Sequence, residues 1–331
     1  MPNFSSFSWN DRLPSETLDV SPVNYWEFFR TMYERQLVWY RRFVEGKPRP
    51  WTDDPILRDY KFTNVYRELD RSSQWQIRNI TLDPTLTLKN LVWKIMFYRF
   101  FNNPATFETA REEMGWRNGI PDYDEFDPDV WQAFIDRFRD AGNNPFTNAY
   151  MINSAVAPGH TRNWCYSQMV LTMLHKRLPE LMKHTMTARH PEDIIARLKT
   201  LYVVADFIAH EFYQDFTYIP RYTGRRFMPF DQNDFTNVGP GASVGLRLIF
   251  PSLKRQKEGI YRLRDEAPAA LAAFGDFPYI EWDRTAGEYR ITSKGSLTLH
   301  QIEMWLCEYS KYWKMIIGDG KQRSTFTPTT L

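Results

Sequence analysis

Residues 231–249 run DQNDFTNVGPGASVGLRLI, and this stretch decides what kind of fold to expect. Gly239-Pro240-Gly241-Ala242 has the composition of a tight turn. Proline fixes φ at about −65°, and the glycines supply positive φ or close backbone approach. From Ser243 to Phe250, small and apolar residues alternate at helical spacing, so the turn opens a helix. The N–H groups of that first turn, with the helix dipole behind them, can hold a phosphate. A glycine-rich loop entering a core helix is the plainer alternative. Residues 205–216 form a helical run just upstream, and Asp215, Asp231 and Asp234 lie close to the turn in sequence. Carboxylates beside a phosphate site could do proton chemistry on a bound substrate.

Outward from this stretch, the chain is helical almost throughout. Tyr25–Val44 has apolar residues at Trp26, Phe29, Leu37, Tyr40 and Phe43, with Arg30, Arg35, Arg41 and Arg42 on its wet side. GKPRPW then breaks it. Asp54 is placed to cap a new helix with Pro55 at its first position, and Tyr60–Ile80 is expected to continue as helix. Leu88–Phe101 is apolar nearly all round, as a central buried helix should be. Asp127-Pro128 opens another that ends near Gly142. Trp164–Lys183 and Pro191–Phe216 are expected as two more long helices, and Ser252–Phe274 as a further one. Residues 279–291, YIEWDRTAGEYRI, alternate across a Thr-Ala-Gly turn as the one β-hairpin, and Leu299–Ile317 closes the chain. The expectation is a mainly α protein with an N-terminal arm (1–21), a single helical catalytic domain (22–323) and a C-terminal tail (324–331).

Composition narrows the class. Of 331 residues, 43% are apolar, enough for a real core, and 16% are aromatic, which suits helix packing and also stacking on bases. A net charge of +2 leaves nucleic-acid binding to local patches. Two cysteines far apart, Cys165 and Cys307, give neither a disulfide framework nor zinc spacing. No signal peptide or membrane-length apolar run is present, so a soluble, cytoplasmic protein is expected.

Four segments carry candidate chemistry. In residues 50–71, Asn64, Arg67 and Arg71 would share a helical face, with Asp70 holding the Arg67 guanidinium. Such groups bind phosphates and base edges, or form a solvated helix face. Arg99 and Asn102 lie in FYRFFNN, where a buried arginine needs an anion. A structural ion pair, with Asp70 as one option, competes with an arginine aimed into a polar pocket. Glu211 and Asp215 fall on one face as paired carboxylates. No second histidine follows His210-Glu211 at metalloprotease spacing, and no metal is expected. Glu303, Cys307 and Lys311 align at four-residue steps, with Glu308 in reach of Lys311 and Tyr312. Gly318-Asp319-Gly320-Lys321 makes a turn with a basic end suited to phosphate contact.

Taken in order, these segments resemble the α-glutamyl/putrescinyl thymine pyrophosphorylases, DNA-base hypermodification proteins found mainly in bacteriophages. The resemblance rests on residues 50–57 (PWTDDPIL), Phe62, Asn64, Tyr66, Arg67 and Asp70. It continues through residues 99–102 (RFFN) and 148–150 (NAY), Glu211 with Asp215, and residues 239–242 (GPGA). It ends with Glu303, residues 306–309 (LCEY), Lys311 and Tyr312. It implies a helix-hairpin-helix, DNA glycosylase-like helical fold. It also implies a transferase that replaces the phosphate or pyrophosphate of a phosphorylated 5-hydroxymethyluracil in double-stranded DNA with an amine. The implied co-substrate is an amino acid or a polyamine such as putrescine, with no further cofactor. A separate 5-hydroxymethyluracil DNA kinase would act first, inside an infected bacterium. By the same resemblance, Arg67, Arg99 and the helix after Gly241 would serve the leaving group. Asp215, Asp234 or Glu211 would act as base or orient the amine, and Asn64, Arg71, Asn102, Gly239, Lys311 and Lys321 would contact DNA or phosphate. Residues 202–207, YVVADF, stand where related chains often have a glycine-containing hairpin. A monofunctional DNA glycosylase and a non-catalytic DNA-binding scaffold are the alternatives.

Overall fold

A computed structural model describes residues 19–149 and 157–319. Most of the expected N-terminal arm, Tyr150, Lys321 and the expected C-terminal tail lie outside the described residues. In chain order the elements are α1 (Pro22–Phe43), α2 (Pro55–Asp59), α3 (Arg71–Gln76), α4 (Leu88–Phe101), α5 (Pro104–Met114), α6 (Pro128–Asp140), α7 (Arg162–Trp164), α8 (Thr172–Thr187), α9 (Pro191–Leu198), α10 (Asp206–Tyr218), α11 (Pro240–Ile249), α12 (Gln256–Ala272), the hairpin strands β1 (Tyr279–Asp283) and β2 (Glu288–Thr292), and α13 (Leu299–Ile316). The fold is mainly helical, and the hairpin forms the single sheet among the described residues.

Local signals explain many of the boundaries. Asp54 accepts from the N–H groups of Ile56 and Leu57, with Pro55 at the first helical position. Asp127 does the same for Asp129 and Val130 ahead of Pro128. These carboxylates satisfy donors that a helix start leaves open. In the hairpin turn, Asp283 accepts from Thr285 and Ala286, and Gly287 takes φ +70°, a conformation that glycine adopts without steric cost.

Two expected helices are interrupted. Residues 61–66 are non-helical, a 3-10 turn spans Arg67–Leu69, and α3 begins only at Arg71. The cause is tertiary: Phe62 packs with Leu57 of α2 and Tyr312 of α13, which holds the chain extended there. The expected run from Pro191 to Phe216 is likewise split into α9 and α10 by a turn at 199–205, in which Val203 adopts φ +62°. A left-handed conformation at a β-branched residue is strained and incompatible with a continuing helix.

The described residues divide into two compact units. One, unit 1, comprises residues 19–67, 236–281 and 289–319 and carries α1, α2, α11, α12 and α13. Here Gly241 and Gly245 let α11 approach α13 closely. A Cβ on Gly245 would stand 2.5 Å from the Leu306 carbonyl oxygen, and one on Gly241 would stand 3.1 Å from Cys307 Sγ. The other, unit 2, comprises residues 68–235 and 282–288. Its centre is α4, buried from Leu91 through Phe101 and surrounded by aromatic rings. Phe97 meets Trp131 edge-on at 4.6 Å between centroids, and Phe101 stacks on Phe146 at 5.0 Å, arrangements favoured by the ring quadrupoles. Lys94 is fully buried in this helix and is satisfied by Asp122 at 2.7 Å and by the carbonyls of Arg117 and Ile120.

Candidate functional site

In unit 2 the sequence-selected residues Arg99, Glu211 and Asp215 meet. Arg99 Nε donates to Asp215 Oδ2 at 2.7 Å and Nη2 to Asp215 Oδ1 at 2.5 Å, while Nη1 donates to Glu211 Oε2 at 2.9 Å. Arginine and both carboxylates are almost completely buried. The spacing of Glu211 and Asp215 on α10 puts both on the face that meets α4, and the bidentate fork matches Asp215. A buried arginine must find an anion, and Asp215 and Glu211 are two that Arg99 meets. The arrangement fixes one helix against another through charge. Asn102, four residues from Tyr98, closes α4 in the left-handed conformation with φ +47°, which asparagine tolerates better than most residues.

The other acidic candidates of unit 2 are engaged locally. Asp234 accepts from the Asp231 N–H at 2.7 Å, and Asp231 from the Asn233 N–H at 2.6 Å, so the pair shapes an exposed turn. The Asp231 carbonyl accepts from Tyr213 Oη, whose hydroxyl is pushed well above the usual tyrosine range by burial and by the nearby Asp234 and Asp231 charges. Asp70 occupies the cap position of α3 without a side-chain cap bond, and Arg71 is exposed at its first turn. Asn64 and Arg67 precede this helix and belong to unit 1. The expected shared helical face of Asn64, Arg67 and Arg71 therefore does not form.

In unit 1 the Gly239-Pro240-Gly241 turn does open a helix, and Pro240 is its first residue. Gly239 takes an ordinary φ of −68°, so of the two uses expected for these glycines, the close approach of Gly241 to Cys307 is the one realised. The anion at this helix start is a protein carboxylate: Gly239 N–H donates to Glu303 Oε1 at 3.2 Å. Cys307 Sγ donates to the same oxygen at 3.8 Å. Burial pushes the Cys307 thiol up, and Glu303 and Glu308 raise it further. A protonated, packed thiol is a poor nucleophile, so Cys307 serves packing.

At the far end of α13, Tyr312 Oη donates to Asp54 Oδ2 at 2.8 Å, and Arg30 Nη2 reaches the same oxygen at 2.8 Å. Burial by itself would raise the Asp54 carboxyl, but the Leu57 N–H, Arg30 and Tyr312 outweigh it and hold it below the usual carboxylate range. Lys311 pairs with Glu308 at 3.0 Å and lies over the Phe62 ring at 4.4 Å, while Glu308 also accepts from the Thr63 N–H. This network docks residues 54–63 onto α13.

The family described as 5-hmdU DNA kinase, helical domain, matches residues 23–322. The chain belongs to this family. A curated relative, the 5-hmdU DNA kinase of Bacillus phage SP10, is 28% identical over 301 residues, covering 86% of this chain and 44% of that protein. The chain thus spans less than half the length of this relative. No solved structure matches. The helical-domain family corrects the expected chemistry: its relative is named for a kinase, which adds phosphate to a hydroxymethyl base, whereas the expected transferase would displace phosphate with an amine. Amine transfer is withdrawn. Among the described residues, no helix is long and apolar enough to cross a membrane.

Proposed function

We propose that this chain takes part in phosphorylating 5-hydroxymethyldeoxyuridine in DNA, as the helical portion of such a kinase, and that its own share of the task is to engage the DNA. The family match over residues 23–322 is the observation that carries this. A kinase acting on a base within DNA has to hold the strand and present the hydroxymethyl group to its phosphate donor, because phosphoryl transfer depends chiefly on positioning and on electrostatic stabilisation. A base inside a duplex must also leave the stack to be reached. The composition suits a DNA-holding part, with 16% aromatic residues for stacking and arginines in local groups despite a net charge of only +2. Within this proposal the helix-hairpin-helix element is α9, the 199–205 turn and α10. Its support is the helix–turn–helix order of those residues.

Anisotropy titrations test the proposal with two labelled duplexes that differ only in carrying 5-hydroxymethyluracil or thymine at one position. The hydroxymethylated duplex is expected to bind more tightly at matched salt. Equal affinity for the two, or no binding to either at low ionic strength, would contradict it.

A further inference from the structure

In unit 2, α10 does not stop at Tyr218. It widens into a π-helical turn, Ile219–Thr223, and closes at Gly224. Pro220 has no N–H to continue the α-helical ladder. Gly224 takes φ +71° and donates its N–H to the Pro220 carbonyl at 3.0 Å, a left-handed ending that glycine makes without steric cost. Thr223 fixes the exit. Its Oγ1 donates to the Ile219 carbonyl at 2.7 Å and accepts from the Arg225 N–H at 3.1 Å. The chain therefore leaves the helix as Arg225-Arg226 in a defined direction.

Residues 282–288, the end of the hairpin that belongs to unit 2, pack on this turn. Trp282 meets Tyr222 edge-on at 4.8 Å between ring centres, and Arg284 Nη1 lies 3.0 Å from the place a Cβ on Gly224 would take. Two segments distant in sequence thus bring arginines to one glycine. Arg225 Nη1 donates to the Leu86 carbonyl at 2.9 Å, an acceptor that orients a guanidinium without cancelling its charge. Arg226 and Arg284 are exposed and have no hydrogen bond or ion pair with other described residues. Residues 219–226, IPRYTGRR, contain no carboxylate. The Asp283 carboxylate, next to Arg284 in sequence, accepts from the Thr285 and Ala286 N–H groups. Like charges gathered at an exposed edge raise the local positive potential.

We infer that this surface, Arg225, Arg226 and Arg284 around Gly224, holds the phosphate backbone of DNA. Guanidinium forks fit phosphate oxygens, and backbone contacts fix a duplex in place without reading its sequence. Choosing DNA over another polyanion rests on the proposal above that this chain engages DNA. The surface would position the duplex, while recognition of the hydroxymethyl base would fall to other groups.

The test uses the full chain carrying Arg226→Gln and Arg284→Gln together, titrated against the hydroxymethylated and thymine duplexes over a range of salt. A urea melt checks that the midpoint is unchanged. Affinity for both duplexes is expected to fall by the same factor, on the order of 10- to 100-fold, with the log–log salt slope reduced by about 2. If the double variant shifts the melt, the two single variants take its place, each expected to reduce the slope by about 1. A control pair, Arg111→Gln with Arg189→Gln, makes the same charge change at exposed positions elsewhere in unit 2. Screening should hold its effect to about 2-fold or less. Unchanged affinity and slope, or an equal loss in the control pair, would overturn the surface and leave the DNA proposal standing. A loss confined to the hydroxymethylated duplex would overturn the assignment to phosphate, because it would mark a base contact. A wild-type chain that binds neither duplex at low ionic strength would overturn both proposals.

Discussion

Arginine is used in opposite ways in the two units. Arg99 in unit 2 is 2% exposed, and all three of its guanidinium nitrogens donate to Asp215 and Glu211. In unit 1, the Arg42 and Arg49 guanidinium carbons lie 5.0 and 5.7 Å from the centre of the Trp51 indole. Both kinds of site contain the residue types a phosphate needs. The difference lies in the partner: Arg99 is forked onto buried carboxylates, whereas Arg42 and Arg49 share the face of an indole. The Gly239 helix start resembles Arg99, since Glu303 already stands where an external anion would go. A cationic residue in a polar-looking motif therefore says little about ligands until its anion is found.

Replacing Arg99 is the largest expected way to sharpen that contrast. Arg99→Met removes the guanidinium from which both buried carboxylates accept, and a loss of about 3–5 kcal/mol is expected in urea unfolding. A change under about 1 kcal/mol would mean that the cluster is not the strut it looks like. Within unit 1, Gly245→Ala forces a methyl against the Leu306 carbonyl and is expected to cost about 1–3 kcal/mol by overpacking the α11–α13 contact, again read by urea unfolding. Val203→Gly should act in the opposite direction. Relieving a left-handed β-branched residue is expected to stabilise the chain by about 1 kcal/mol, partly offset by glycine's greater unfolded-state freedom. A lower thermal midpoint in the variant would show that the valine side chain contributes more by packing than its backbone costs.

The smallest effect concerns a partly exposed ion pair and carries a pH signature. Burial would raise the Asp83 carboxyl, but bonds from Thr85, Asn118 and Arg117 bring it from 3.8 down to about 2. A carboxyl held lower in the folded state stabilises it above pH 3.8 and loses that contribution as pH falls through about 2. Asp83→Asn is therefore expected to lower stability at pH 7 by no more than about 1 kcal/mol, because Arg117 is largely solvent-exposed and screened. The gap from wild type should close toward pH 2, and a gap that stays constant with pH would rule out the carboxylate as its source.

Much of the fold was legible because its causes are local. Leu88–Phe101 is helix over the expected span, with Asp54-Pro55 and Asp127-Pro128 opening helices as their types suggest. The interruption at 61–66 was hidden because Phe62 answers to Tyr312, 250 residues away in sequence. The break before α10 was hidden because it falls on Val203 and has no glycine to mark it. At the site level, pairing Glu211 with Asp215 was visible in their spacing, but that Arg99 lies between them depends on a contact across 116 residues. The cluster of Arg42 and Arg49 on Trp51 is hidden for a different reason. Arg35 and Arg42 look like the wet side of an amphipathic helix, and GKPRPW looks only like the segment that ends it. The usable signal was the density of arginine and tryptophan on both sides of that break, Trp39, Arg42, Arg49 and Trp51 within thirteen residues.

Ultraviolet crosslinking of the chain to a 5-hydroxymethyluracil duplex, followed by peptide mapping, tests most directly the proposal that this chain engages DNA. Nucleotide adducts are expected on peptides of this chain, more with the hydroxymethylated duplex than with its thymine counterpart. No adduct with either duplex at low ionic strength would contradict it.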